Sequence, residues 1–325
     1  QPGAVLEFAD FKRWLVAEGR DHGAEYRFGA RVNNPITEDG EVVGVQYAGD
    51  EEVSADIVVD ATGPAAPLAK KLDVCNLERK NQAVGIEWEL EGVDVDHPEF
   101  ADLTDAMMLR LDHEYAPGGY SWVFHTGGDT AKVGVCYIQG ESYQQYGDTS
   151  KSIDGHLNHW LETDPRFADA ERITDKQQHR GSAHIQMPDS LSTDSFMAIG
   201  DTVPTIDPLW GEGIHKCMES ARAAAVTADR CLMGSETDTS AESMSIYDDL
   251  WHARVAPDMR TRLTMTQLLY LAPNERYDRL MNDLNAMDVE TLSDANDGSI
   301  RSLAKLTHLD DVPLLARFAK QRLAG

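Results

Sequence analysis

The residues best placed to do chemistry lie in one stretch, FMAIGDTVPTIDPLWGEGIHKCMESARAAA, from Phe196 to Ala225. Phe196 to Ile199 reads as a strand, and Gly200-Asp201 follow at its carboxyl edge, where open α/β sheets bind ligands. Gly200 lets the backbone approach a ligand closely, and the Asp201 carboxylate can accept hydrogen bonds from sugar-like hydroxyls. Gly211 and Gly213 bracket Glu212 ahead of an Ala-rich amphipathic helix. They leave backbone N–H groups accessible at a helix start, where the dipole favours negative charge. Together these residues suit a polyhydroxylated, anionic ligand. They would equally make an ordinary strand–turn–helix in which Asp201 caps the helix.

Two further stretches carry candidate chemistry. In GGYSWVFHTG, Tyr120, Trp122 and Phe124 alternate, so their side chains share one face of a strand. Three aromatics on one face suit an apolar pocket and a plain core alike. The run VVDATG ends an apolar strand in a glycine turn at Gly63. Cys75, Cys136, Cys217 and Cys231 form no C-x-x-C pair and have no His-rich ligand spacing, which fits reduced thiols and no metal site.

The elements that must position these residues read as follows. Phe8, Phe11, Leu15 and Val16 have helical spacing, with Gly23 as a stop. AEYRFGARV, EDGEVVGVQYAG and EEVSADIVVDATG read as strands, with Asp39-Gly40 as a hairpin turn. The continuous apolar run Ile57-Val58-Val59 is expected to be buried on both faces. From about residue 80 to 140 four strands (QAVGIEWELEG, AMMLRLD, GGYSWVFHTG and TAKVGVCYIQG) form an antiparallel sheet. Ser152–Leu161 is a helix, and GSAHIQMP and SFMAIG return to the first sheet. From Gly213 the chain is mostly helical.

Composition bounds the rest. The chain has 325 residues, 42% apolar, and 56 acidic side chains against 29 basic ones, a formal charge of −27. That field repels nucleic acid and anionic membrane surfaces. Spread evenly, it fits a solvated surface adapted to a very salty cytoplasm, where charge is screened within ~3 Å at molar salt. No run reaches the ~18 apolar residues of a membrane span, and the start lacks the pattern of a secretory signal.

The stretch IGDTVPTIDPLWGEGIHKCMESARAAA resembles the second flavin-binding motif of the FAD-dependent reductase and hydroxylase superfamily, in particular the geranylgeranyl reductase branch. VVDATG resembles the Ala-Thr-Gly segment that closes the nucleotide-binding sheet of such flavoproteins. GGYSWVFHTGGDTAKVGV resembles the YxWxFP segment of that branch, with His125 in place of its proline. Leu6–Val32 and, more loosely, the C-terminal LMNDLNAMDVETLSDANDGSIRSLAKL also resemble the family, so the similarity spans nearly the whole chain.

The resemblance implies an α/β fold with α+β elements. An FAD-binding Rossmann-like domain (1–66 and 181–233) is interleaved with an antiparallel-sheet cavity domain (67–180), followed by a helical region (234–325). It implies FAD, with Asp201 on the ribityl chain and Gly63, Gly200, Pro208, Gly211, Glu212, Gly213 and Ile214 around the cofactor. Tyr120, Trp122 and Phe124 would line the substrate cavity. The implied reaction is saturation of isoprenoid double bonds of archaeal lipid or quinone precursors, with Tyr120, His125 and Cys136 as candidate proton donors. The implied partners are a lipid-like isoprenoid and a reduced electron carrier or NAD(P)H. Location would be cytoplasmic, with peripheral contact at the inner membrane surface.

Three departures stand out. No G-x-G-x-x-G occurs, and the chain begins without Met, which favours a piece of a longer polypeptide over a protein that has lost the dinucleotide unit. Thr202-Val203-Pro204 replaces the family's small residues after Gly-Asp. Trp210 stands where a smaller residue is usual. The rival readings are a related flavin monooxygenase or electron-transfer dehydrogenase, and a flavoprotein-derived binding subunit without catalysis.

Overall fold

The computed structural model describes residues 6–176, 178–234, 236–296, 299, 301–302 and 305–324. In the expected terminal helical segment, positions 297–298, 300 and 303–304 lie outside the described residues. The chain starts with helix α1 (Phe8–Asp21), followed by Gly23 at φ +90°. No residue of α1 is buried; Phe11, Val16 and Gly19 are half-buried, and the rest of its apolar stripe is exposed. The expected strand AEYRFGARV is irregular up to Arg31, and β1 begins only at Val32 (Val32–Glu38).

β1 pairs with β2 (Glu41–Tyr47), and β2 with β3 (Glu51–Ser54), as an antiparallel meander. Asp39 and Gly40 turn the first hairpin with φ of 50° and 96°, the double positive φ that a two-residue loop needs to match strand twist. A second sheet holds β4 (Val58–Asp60), β11 (Ser192–Thr193) and β12 (Phe196–Ala198) in the order β11-β12-β4, with β12 parallel to β4. Parallel pairing brings the carboxyl ends of β4 and β12 to one edge, so Asp60 sits beside Ala198 in register. β4 is not buried on both faces as expected. Val58 is buried while Val59 is 44% exposed, beside a cleft of about 260 Å³ lined by residues that include Val45, Val53 and Leu68.

The large sheet holds β5 (Gln82–Glu91), β6 (Met107–Arg110), β7 (Gly119–Gly127), β8 (Thr130–Ile138) and β10 (His179–His184) in the order β10-β5-β8-β7-β6, with β9 (Glu171–Arg172) also on β5. The segment GSAH therefore differs from expectation: it joins this sheet, pairing antiparallel with β5 through Gly181 opposite Gly85. Helix α2 (Ile153–Thr163), capped by the Ser152 hydroxyl accepting from Gly155 N–H, covers one face of the sheet. Its Leu157 and Trp160 pack with Ile86, Val123, Val133 and Val135 in a single core cluster.

After β12 come α3 (Ile214–Leu232), α4 (Ala241–Met244), α5 (Ile246–Leu250), α6 (Met259–Tyr270), α7 (Asn274–Ala286), α8 (Val289–Asn296) and α9 (Val312–Ala324). α3, α5 and a π-helical turn at Trp251–Val255 share a core with β4 and β12 that includes Phe196, Ala224, Tyr247 and Trp251. A smaller cluster joins Tyr270 and Tyr277 to Ile138 and Tyr143 at one end of the large sheet.

Candidate active site

The site begins at the carboxyl edge of β4 and β12. Asp60 is buried, and its Oδ1 accepts from Thr62 N–H at 3.0 Å and its Oδ2 from Ala69 N–H at 3.0 Å. This fixes the VVDATG turn. Gly63 N–H then donates to Thr202 Oγ1 at 3.0 Å, tying that turn to the residue after Asp201. Thr202 and Val203, the bulky departures from the family pattern, are both buried. Thr202 is spent on this bond and Val203 on the core.

Gly200 has φ +57°, and its N–H donates to Ser220 Oγ on α3, whose hydroxyl pairs with Tyr247 at 2.7 Å. The strand end is thereby stitched to the helix behind it. Asp201 is half-buried, and Cys217 Sγ–H donates to its Oδ1 at 3.7 Å. Burial raises Asp201 above the usual carboxylate range, and burial beside Asp201 pushes the Cys217 thiol up to about 12. Asp201 does not cap α3: the N-cap is Gly213, which has no side chain to accept from the first-turn N–H groups. The start of α3 is thus left without a side-chain cap, beside the half-buried Asp201 carboxylate.

The loop from Asp207 to Gly213 closes against the large sheet. Pro208 is buried within it, and Gly211 adopts φ +70°. A Cβ at Gly211 would lie 2.0 Å from the Tyr120 hydroxyl, so the position requires glycine both for conformation and for contact. Tyr120 O–H donates to Trp210 O at 3.2 Å, and Tyr270 O–H reaches Leu209 O at 3.4 Å. Glu212 O accepts from Asp207 N–H at 2.8 Å, and Ile214 opens α3 with its side chain 43% exposed.

The aromatic face is decided by what packs behind it. Gly119, Ser121 and Val123 of β7 face α2 and are buried, which leaves Tyr120, Trp122 and Phe124 half-buried on the opposite, open face. Their rings follow one another at 5.8 Å and 6.3 Å, and Tyr120 stacks on Tyr270 at 6.5 Å. Trp122 lies over β8, where a Cβ at Gly134 would meet its ring at 2.2 Å, and Trp122 Nε1–H donates to Glu87 Oε2 at 2.8 Å. Leu109 and Met107 of β6 extend the strip opposite Trp122 and Phe124 and are themselves exposed. On the other side Gly85 and Gly181 leave bare backbone; a Cβ at Gly181 would meet nothing within 4 Å. The three rings are thus half-buried on the side of the sheet opposite α2, with the Glu87 carboxylate beside Trp122 and Tyr270 beside Tyr120.

The candidate proton donors separate. Cys136 sits opposite Tyr120 in register and is hydrogen-bonded to it; burial raises Cys136 to about 12 and Tyr120 well above the ordinary phenol value. Both groups are held in their protonated forms, and the Tyr120 proton is directed at Trp210 O. His125 is five residues along the strand, about 17 Å from Tyr120 at strand rise. Its Nδ1 accepts from Asp105 N–H at 2.9 Å and its Nε2 contacts Gly128 O at 3.0 Å, so it braces a turn away from the loop.

Sequence reasoning passed over Cys217, Tyr270, Asp207 and Arg262. Only Cys217 carried a local signal, one helical turn after Gly213 on the side of Asp201. No group of three or more His, Cys, Asp or Glu among the described residues could hold a metal ion, and no helix among them is long and apolar enough to cross a membrane.

No family model matches the sequence. The digeranylgeranylglycerophospholipid reductase of Haloferax volcanii is 64% identical over 98% of this chain, which covers 78% of that protein. The chain belongs to this reductase family. A second such reductase, from Methanopyrus kandleri, is 28% identical over 88% of the chain and 70% of its own length. Among solved structures, a geranylgeranyl bacteriochlorophyll reductase-like protein from Thermoplasma acidophilum superposes with TM-score 0.79 at 21% identity, over 98% of this chain and 77% of that one. A myxobacterial FAD-dependent halogenase superposes with TM-score 0.63 at 18% identity, over 95% and 69%. The reductase thus shares its mixed helix-and-sheet architecture with FAD-dependent enzymes, and it is an oxidoreductase by family.

Proposed function

We propose that this chain acts as an FAD-dependent reductase of isoprenoid double bonds, with an archaeal digeranylgeranyl lipid as substrate. The observation that carries the reading is the contact of the flavin-type loop with an open aromatic lane, through Tyr120 on Trp210 O. A loop of that kind alone would serve many chemistries. A strip of Tyr120, Trp122, Phe124, Leu109 and Met107 joined to it suits a long apolar chain. The relatives named above, reductases of digeranylgeranylglycerophospholipid, support that substrate class.

Asp201 would accept the hydroxyls of a ribityl chain, and the uncapped start of α3 with Gly211 and Gly213 would stabilise negative charge on the cofactor ring. Gly63, Gly200, Pro208, Glu212 and Ile214 would shape the same pocket. Reduced FAD, when bound, supplies a hydride to one alkene carbon. The chain's own task is to hold an unactivated double bond in place, exclude water and deliver a proton to the other carbon. Tyr120, kept protonated beside Cys136, is the better placed donor of the sequence-derived candidates; His125 is spent on its turn. By position, 1–66 and 181–233 would serve the cofactor, 67–180 with β10 the lipid lane, and 234–325 the support of the loop. A reduced carrier or NAD(P)H would supply electrons, and the lipid would be met at a membrane surface from the cytoplasm.

The full-length protein, purified in high salt and incubated with FAD, is expected to show protein-bound flavin absorption bands. Their absence would remove every enzymatic reading. After anaerobic reduction, mixing with a geranylgeranyl glycerophospholipid should reoxidise the flavin without O₂ and yield the saturated chain. Reoxidation by O₂ alone, with the alkene unchanged, would support the monooxygenase reading.

A further inference from the structure

We infer that Arg262, on α6, is a positioning residue of the flavin-type loop, fixing its shape through a buried charge contact with Asp207. The inference rests on the flavoprotein reading above. Asp207 is the hub of the loop: its Oδ1 accepts from Leu209 N–H at 2.9 Å and from Trp210 N–H at 3.3 Å. Its own N–H donates to Glu212 O at 2.8 Å and its carbonyl accepts from Gly211 N–H at 2.9 Å. One residue therefore sets the path of the chain into the glycines that start α3.

Arg262 grips that hub from outside the loop. Its Nη1 lies 3.5 Å from Asp207 Oδ2, and its Nε donates to Asp258 Oδ2 at 2.7 Å. Asp258 Oδ1 in turn lies 4.0 Å from Lys216 Nζ in the first turn of α3, and Lys216 donates to Val255 O at 3.3 Å. The charges thus run from the loop through α6 and back to the helix that the loop feeds. Tyr270, at the far end of α6, holds Leu209 O. Eight residues of helix separate Arg262 from Tyr270, about 12 Å of rise, so α6 backs the loop along its length.

The pair is nearly enclosed, with side chains 12% and 9% exposed. Buried ion pairs are poor devices for stability, because desolvation offsets much of the attraction: replacing both partners by apolar groups of similar volume is often neutral, whereas removing one leaves the other buried and uncompensated. Arg262 Nη1 is buried without a hydrogen bond, so the hold on Asp207 at this atom is electrostatic and needs both charges. What such a contact provides is position.

The test uses full-length protein in high salt. Arg262→Met and Arg262→Lys are compared with wild type for FAD dissociation constant, flavin midpoint potential and apoprotein Tm. Arg262→Met is expected to weaken FAD binding at least ten-fold and to lower the midpoint potential, since a loosened loop moves the α3 N-terminus away from the charge of reduced flavin. Its apoprotein Tm should fall as well, since Asp207 is left buried without its partner charge, and Arg262→Lys should recover part of the losses in affinity and potential. Wild-type affinity and potential in Arg262→Met would overturn the inference. So would a fall in Tm with the potential unchanged, or a Lys variant no better than Met. If Arg262→Met does not fold, Asp207→Asn keeps an oxygen for the Leu209 and Trp210 N–H groups while removing the charge; wild-type behaviour there overturns the inference equally. A wild-type protein that binds no FAD would instead overturn the flavoprotein reading itself.

Discussion

At the scale of single residues, the proposed cofactor site turns on Asp201. Its carboxylate is half-removed from water, and the Cys217 thiol, its donor among the described residues, offsets only part of the cost of burial. Hydroxyls of a bound ribityl chain would supply further donors and favour ionisation. The sign follows: apoprotein Asp201 takes up a proton more readily than an exposed Asp, and below its raised value FAD binding would have to expel that proton. FAD affinity should therefore fall as pH drops through the raised Asp201 value, and stay flat above it. Asp201→Asn should weaken FAD binding at neutral pH, by about ten-fold for the loss of a charged hydrogen-bond acceptor, and abolish the acid-side decline. Titration of FAD binding between pH 4 and 8 checks this; an Asn variant with the wild-type profile would remove Asp201 from the site. In the apoprotein the same raised value makes Asp201 stabilising below its unfolded value, a contribution lost as pH rises through the folded one.

At the scale of elements, the two faces of the large sheet have opposite duties. One is packed by α2 through Leu157 and Trp160; the other carries the aromatics and depends on glycine to seat them. Gly134 is the clearest case, since Trp122 lies where its Cβ would be, and the Ile86 carbonyl is 2.5 Å from the same point. Gly134→Ala should cost about 1–3 kcal/mol through overpacking and swing Trp122 out of the lane. Chemical denaturation reads the first effect. The second should appear as a weakened turnover of long-chain prenyl lipid with FAD binding retained. An alanine variant with unchanged stability and unchanged tryptophan fluorescence would contradict this account of the sheet.

How much of this was legible in the sequence depended on range. The strands β5, β7 and β8 and the helix α3 follow from local periodicity, and the Asp39-Gly40 turn from its residue types. The irregular path before Val32 and the membership of β10 did not. AEYRFGARV has a strand's composition but no paired partner until β2 meets Val32, and GSAH could pair with either sheet until β5 claimed it. Strand identity is local, whereas strand pairing is not.

At the scale of the whole molecule, the charge of −27 is the dominant property. Like charges at this density repel across the surface of the compact state, and added salt screens them, shortening the Debye length from about 10 Å at 0.1 M to about 3 Å at 1 M. Tm should rise steeply with KCl up to molar concentration. Thermal scans across that range provide the check, and a Tm independent of KCl would show that the acidic surface costs this fold nothing.

The sequence by itself determined the kind of site: an acid after a strand, glycines before a helix, aromatics at every second position. Each of these is a statement about neighbours in the chain, and short-range geometry enforces it. The tertiary structure decided where each group points and what it meets. Tyr120 and Trp210 are ninety positions apart and Gly63 and Thr202 farther still, yet each pair shares a hydrogen bond. The same alternation that marks Tyr120, Trp122 and Phe124 would serve a core equally well. Tertiary packing decided its setting: α2 covers the other face of the sheet, while on the aromatic face Tyr120 meets Tyr270 of α6 and Trp122 and Phe124 stay half-buried.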